Sequence, residues 1–200
     1  MTIIEAFLLA LVAVLAAWSG FASAKWGTES RLRLASASTT RTQAASAELA
    51  ALTTRNFDSS TFTAWFVAYV AGDGAKIALA ERRFRPEFRV AFDAWLATHP
   101  ETNPNAPVGP TYMAEYHQPD QLRSERLNAM GDALYSQGST DGSRSDDYVR
   151  ITIYLATVLF IVAISSHFAL RSARVGLITV GAVVVLFSVS QLLVLAKPPA

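Results

Sequence analysis

The chain has 200 residues, 52% of them hydrophobic and only 16% charged, with a formal net charge of +1. So apolar a composition fits a protein with part of its length in lipid, and near-neutrality argues against a nucleic-acid partner, which needs a concentrated basic face. The absence of cysteine excludes disulfide frameworks, iron–sulfur clusters, thiolate zinc sites and cysteine nucleophiles.

Residues 2–24 form an apolar run charged only at Glu5. Its end, Phe21-Ala22-Ser23-Ala24, has the small residues of a signal-peptidase site, but no Lys or Arg precedes the run, so a retained transmembrane helix is expected. Ala16, Gly20 and Ala24 fall at four-residue spacing and form a candidate stripe for close helix–helix contact. Glu5 is a candidate intramembrane polar residue, close enough to the helix start to reach lipid headgroups. Residues 25–56 continue as a predicted stalk helix. Trp26 is placed for the membrane–water interface, and no Pro or Gly interrupts 28–54. Leu34, Ala37, Ala45, Leu49 and Leu52 lie near one face, with Arg31, Arg41, Glu48 and Arg55 on others. So thin a stripe requires a packing partner.

Residues 57–118 are expected to form an aromatic-cored head. Asp58 or Ser59 is placed to cap a helix bearing Phe62, Trp65, Phe66 and Tyr69 at helical spacing, ended by Gly72-Asp73-Gly74. A second helix over 75–83 leads to Pro86, suited to the first position of a third helix with Phe88, Phe92, Trp95 and Leu96 on one side. The two aromatic faces are expected to bury against each other, at ~1.5–3 kcal/mol per large side chain, as core rather than as a ligand cage. Arg82, Arg83, Arg85 and Arg89 read as a solvated cluster, or alternatively as a dock for an acidic partner or lipid headgroups. From His99 to Pro119 recurrent prolines exclude a continuous helix, and Tyr112 and Tyr116 are placed to lie back on the head. His99, Glu101, Glu115, His117 and Asp120 offer nitrogen and oxygen ligands, but their spacing matches no metal motif and no metal is assigned. Residues 119–147 form the return helix, antiparallel to 28–55, with Leu122, Leu127, Met130 and Leu134 near one face. A joint is expected at Gly138 to Ser143, after which Ser145-Asp146-Asp147 caps the next helix.

Two further transmembrane helices are expected at 148–168 and 175–196, each about twenty residues and so about 30 Å long. The elbow at 169–174 carries Arg171 and Arg174 beside His167, which reads as an interfacial histidine rather than a haem ligand. By the positive-inside rule the elbow is cytoplasmic, placing 25–147 outside and the amino terminus inside; Lys25, Arg31, Arg33 and Lys197 weigh the other way. Gln191 is a second candidate intramembrane polar residue, suited to a hydrogen bond across a helix interface. No Gly-x-Ser-x-Gly, phosphate loop, dinucleotide fingerprint or His-Glu-x-x-His occurs, so neither an enzyme nor a cofactor is expected.

The segments Ala17-Trp18-Ser19-Gly20-Phe21, Arg83-Phe84-Arg85-Pro86-Glu87-Phe88, Ala94-Trp95-Leu96-Ala97-Thr98, Arg144-Ser145-Asp146-Asp147-Tyr148-Val149 and Ile164-Ser165-Ser166-His167-Phe168 resemble a family of bacterial membrane proteins defined as a domain of unknown function. The resemblance covers nearly the full length. It implies a three-span helical protein and brings no activity, substrate or catalytic residue with it. The expectation is an all-α membrane protein with three transmembrane helices, an extramembrane helical stalk and a small helical head, in the bacterial inner membrane. Its expected function is non-enzymatic: an accessory or scaffolding subunit whose partners are the bilayer and other membrane subunits or further copies of itself. Two other readings stand beside it, a sensor of an outside ligand or partner and an oligomeric channel or transporter component. A pocket among Phe62, Trp65, Phe88 and Trp95 points to the sensor, and a water-filled lumen to the channel.

Overall fold

The computed structural model describes residues 3–165, 168 and 170–199, so His167 in the elbow lies outside the described residues, as does the side chain of Arg171. Among the described residues the chain is all α, without strands. Its elements are α1 (Ile3–Val70), α2 (Gly74–Glu81), α3 (Pro86–Ala97), a single 3-10 turn (Pro110–Tyr112), α4 (Pro119–Ser165) and α5 (Arg171–Val194). Helices α1, α4 and α5 are each long and apolar enough to cross a membrane.

The expected break before Asp58 is absent: α1 is one helix of 68 residues. No proline occurs in it, and Asp58 does not cap because its carboxylate is consumed by a tertiary ion pair. The helix stops where Gly72 takes the left-handed conformation (φ +70°), returning Asp73 N–H to the Ala68 carbonyl at 3.0 Å. Asp73 then caps α2 by accepting from the Lys76 amide at 3.1 Å. Pro86 opens α3, as its fixed φ and missing N–H favour.

Buried positions on α1 recur every seven residues: Ser23, Ser30, Ala37, Ala44, Ala51, Asp58 and Trp65. That is the repeat of a supercoiled helix seam, written mostly in small residues instead of leucine. The stripe expected from Ala45, Leu49 and Leu52 points outward instead, with Leu49 65% and Leu52 50% exposed. Small side chains bring helix axes closer than leucine permits, and the leucines then fall beside the seam. On α4, Asp141, Tyr148, Leu155 and Val162 repeat the same step, whereas Leu122 and Met130 are exposed.

The chain divides into two compact units. The first comprises Met1–Ser38 with Gly131–Ala200. Its apolar core is Val12, Ile151, Leu155, Val158, Val162 and Val185. Beyond that core, α1 and α4 run antiparallel and are laced by hydroxyls. Ser19 donates to the Tyr148 carbonyl (2.8 Å), Ser145 to that of Ser23 (3.0 Å) and Ser30 to that of Gly138 (2.7 Å). The expected joint at Gly138 to Ser143 is likewise absent, α4 being helical throughout. A Cβ on Gly138 would lie 3.0 Å from Leu34 Cγ, and one on Gly142 3.2 Å from Ser30 Oγ. These glycines therefore admit the facing helix rather than bend their own. Ser145 follows suit, bonding across the seam from mid-helix and capping nothing.

The second unit, Thr39–Met130, is built on an aromatic core. Trp65, Ala80, Phe84, Phe88, Phe92 and Trp95 are buried, with Phe62, Ile77, Met113 and Tyr116 packed around them. The rings meet mainly edge-to-face, as Trp65 with Phe92 (4.8 Å between centroids, 80°) and Phe84 with Phe88 (5.0 Å, 84°). Tyr116 does return to the head, edge-on to Phe88, while Tyr112 stays 66% exposed with the Arg55 guanidinium over its ring. Beneath the core, the fully buried Asp58 accepts from Arg85 Nε (3.0 Å) and Nη2 (2.9 Å) and from the Tyr116 hydroxyl (2.8 Å). Gln118 completes the network, donating to the Tyr116 oxygen and to the Ala51 carbonyl.

Candidate ligand-binding cleft

A cleft of about 500 Å³ opens beside the aromatic core of the second unit. The last turns of α1 supply Trp65, Phe66, Tyr69 and Val70, the end of α3 supplies Trp95 and Leu96, and the loop from Pro100 to Val108 closes the far side. The loop is shaped locally. Thr98 ends α3 with its hydroxyl on the Trp95 carbonyl (2.6 Å), and His99 follows in the left-handed conformation (φ +52°). Glycine usually fills that position, and His is among the few other residues enriched there. Asn103 ties the turn together, donating to the Thr98 carbonyl and accepting from the Asn105 amide, both at 3.0 Å. Pro100, Pro104 and Pro107 limit the conformations the loop would otherwise explore. Trp95 Nε1 then donates to the Pro107 carbonyl at 2.7 Å, pinning the loop to the core.

Floor and walls differ in exposure. Trp65 and Trp95 are 3% and 5% exposed, so they belong to the core and only underlie the cleft. Phe66, Val70 and Val108 are 48%, 71% and 87% exposed and carry the apolar area that an occupant would cover. Tyr69 stacks on Trp65 (5.0 Å, 14°) and its hydroxyl donates to Glu101 at the rim. That hydrogen bond, more than any other effect, raises the phenol's pKa, so Tyr69 stays a neutral donor at ordinary pH. The lining therefore offers flat apolar walls and a single carboxylate. It holds no serine, threonine, lysine or histidine, and its polar side chains are Tyr69, Glu101 and Asn103.

Of the four aromatics whose pocket would point to a sensor, Trp65 and Trp95 border this cleft; Phe62 and Phe88 do not, Phe88 being wholly buried. The arginine cluster is dispersed. Arg85 is held by Asp58 and also reaches Glu87, Arg89 pairs with Glu81 and Asp93, and Arg82 bonds the Ala78 carbonyl behind it. Arg83 lines a groove, with Ser60, Lys76 and Leu79 among its neighbours.

In the first unit, Ala16 flanks the apolar core, Ala24 is exposed, and a Cβ on Gly20 would meet nothing within 4 Å. Gln191 is exposed beside a groove between α4 and α5. Glu5 is 2% exposed and accepts from Arg174 Nε and Nη2, both at 2.6 Å. It thus joins the start of α1 to the start of α5. The buried Asp141 lies between Arg33 and Arg144, each 3.0 Å away, and Arg144 also covers the Trp26 ring.

Sequence reasoning missed the Asp58–Arg85–Tyr116 network and the Tyr69–Glu101 contact. The one available signal for the latter was the density of prolines after His99, since a stiff loop beside an aromatic helix shapes a cleft. His99, Glu115, His117 and Asp120 gather into no metal site among the described residues. No protein-family model matches the chain, and neither the curated proteins nor the solved structures contain a match to it.

Proposed function

We propose that this chain is a non-enzymatic, multi-pass protein of the bacterial inner membrane, whose second unit binds an apolar ligand outside the bilayer. The single observation that carries the binding role is the cleft walled by Phe66, Val70 and Val108, with Glu101 at its rim. Exposed apolar side chains gathered around a concave surface, with few polar groups, are the usual form of a small-molecule site. A carboxylate beside aromatic faces favours an aromatic or alkyl ligand with a cationic or hydrogen-bond-donating end. Three helices of membrane-spanning length and the basic elbow at Arg171 and Arg174 support the location, with 25–147 outside and the amino terminus cytoplasmic.

The test uses the full chain in detergent micelles, with phenethylammonium as probe and hydrogen exchange as readout. Saturable protection over 65–70 and 95–108, weakened by Val108→Arg and Glu101→Gln, is expected. Protection elsewhere, or none, refutes the binding role. A second reading, an accessory subunit of a membrane complex, is favoured by Gly20, whose open surface on α1 lets a further helix approach closely. A partner that copurifies at fixed stoichiometry, and is lost in Gly20→Leu, would support it.

A further inference from the structure

Between α4 and α5 of the first unit lies a second groove, of about 310 Å³, that the aromatic cleft does not involve. Asp147 and Arg150 stand at its polar side with Gln191, while Ile151, Tyr154, Phe187 and Leu195 supply its apolar surface. Trp26 and Tyr148 cluster together with Leu195 packed against them, and the Tyr148 hydroxyl donates to the Ala196 carbonyl at 3.0 Å. Tryptophan and tyrosine mark the level of the lipid headgroups. The polar side of the groove is therefore at headgroup depth and its apolar side faces the acyl chains.

The two charges at the groove are not committed to each other. Arg150 Nη1 and Asp147 Oδ1 are 3.6 Å apart, and the side chains are 64% and 42% exposed. Such a pair contributes little and opens at little cost. A cation and an anion side by side match a headgroup that carries both charges. We propose that this groove binds a zwitterionic phospholipid whose headgroup bears a primary ammonium. Arg150 takes the phosphate, for which a guanidinium fork is suited. Asp147 and the Gln191 amide oxygen accept from the ammonium. An anionic phospholipid satisfies Arg150 but meets Asp147 and the neighbouring Asp146 with like charge. A quaternary ammonium has no N–H to donate to either acceptor.

The proposal rests on the reading that α4 and α5 lie in a bilayer, and its test separates the two. The full chain is reconstituted into vesicles of equal parts phosphatidylethanolamine, phosphatidylcholine and phosphatidylglycerol. It is then extracted gently, and the lipids it retains are counted by native mass spectrometry. Phosphatidylethanolamine is expected in excess over both others. Asp147→Asn should cut that excess by about tenfold, the lower end for a hydrogen bond to a charged group. Arg150→Gln should lower the retention of all three lipids, whose phosphate it would bind, and Glu125→Gln in the second unit should do neither. Preference for phosphatidylglycerol, equal retention of all three lipids, or an excess indifferent to Asp147→Asn overturns the proposal while leaving the membrane reading intact. A chain that fails to enter the vesicles overturns both. Helix content by circular dichroism confirms that each variant folds.

Discussion

Asp58→Asn separates two accounts of the same residue. If Asp58 were a helix cap, asparagine would replace it at a change of no more than a few tenths of a kcal/mol, because the two cap about equally well. In the structure, both carboxylate oxygens are engaged, by Arg85 at 3.0 and 2.9 Å and by Tyr116 at 2.8 Å. An amide loses the charge and presents an NH2 group to one of these donors. Hydrogen bonds to charged groups are worth about 1.5–3 kcal/mol each, though not additively. Arg85 keeps 29% of its side chain exposed, so water recovers part of the loss. The net cost of Asp58→Asn is then ~2–3 kcal/mol, or about 8–24 °C in Tm for a unit of this size. The assay is a thermal melt of the full chain in detergent, followed by near-ultraviolet circular dichroism, whose signal comes largely from the aromatic core. A shift below about 2 °C would refute the ion-pair account. Combining Asp58→Asn with Tyr116→Phe should give a coupling of ~0.5 kcal/mol or more, since both act on one network.

Burial and the Asp58 hydrogen bond push the Tyr116 phenol up to about 12, whereas an unfolded tyrosine titrates near 10. The folded state prefers the neutral phenol, so its stabilisation is complete below pH ~10 and fades as the pH rises towards 12; Tyr116→Phe should flatten that decline in alkaline melts. Gly138→Leu should destabilise the first unit by ~1–3 kcal/mol, because its Cβ meets Leu34. Gly20→Leu, with open space around it, should stay within ~0.5 kcal/mol in the same melts. Arg174→Leu should lower the melting temperature of the first unit by several degrees, because the buried Glu5 loses the two hydrogen bonds it accepts from that guanidinium; an unchanged melt refutes this. The cysteine-free chain gives no labelling background, so Ser60→Cys should react with an impermeant maleimide added outside intact cells and Ser172→Cys only after lysis. The reverse pattern inverts the topology.

What the sequence revealed and what it hid divide along one physical line. Periodic, local signals were legible: the apolar runs, the proline at the start of α3, and the aromatic faces that became the second unit's core. Residues whose role depends on a distant partner were not. Asp58 carries a capping signature, and only Arg85, 27 positions away, shows why it does not cap. Gly138 and Gly142 have the composition of a joint, yet a glycine that bends a helix and one that admits a neighbouring helix look identical in sequence. Glu5 is 169 positions from Arg174, and nothing local to either foretells the pair. The α1 seam escaped for a different reason. Its seven-residue repeat is carried by serine and alanine, which hydrophobic periodicity weights least, while the leucines that it weights most face outward.

Exposed apolar side chains mean different things in the two units. In the first, Val14, Leu186 and Leu193 are 67%, 71% and 82% exposed, on helices long and apolar enough for lipid to be their solvent. Hydrocarbon covers such groups at no cost, and their helices associate through close approach and hydroxyl bonds instead. The second unit is built differently: a buried aromatic core, a neutralised internal carboxylate, and charged pairs such as Arg89 with Glu81 and Asp93 at its surface. There Phe66, Val70 and Val108 each keep exposed an apolar area that burial would favour by ~25 cal/mol per Å². Scattered singly they would be unremarkable. They instead wall one concavity whose loop is held in place by Trp95 and three prolines, and the ligand proposed above would cover all three at once.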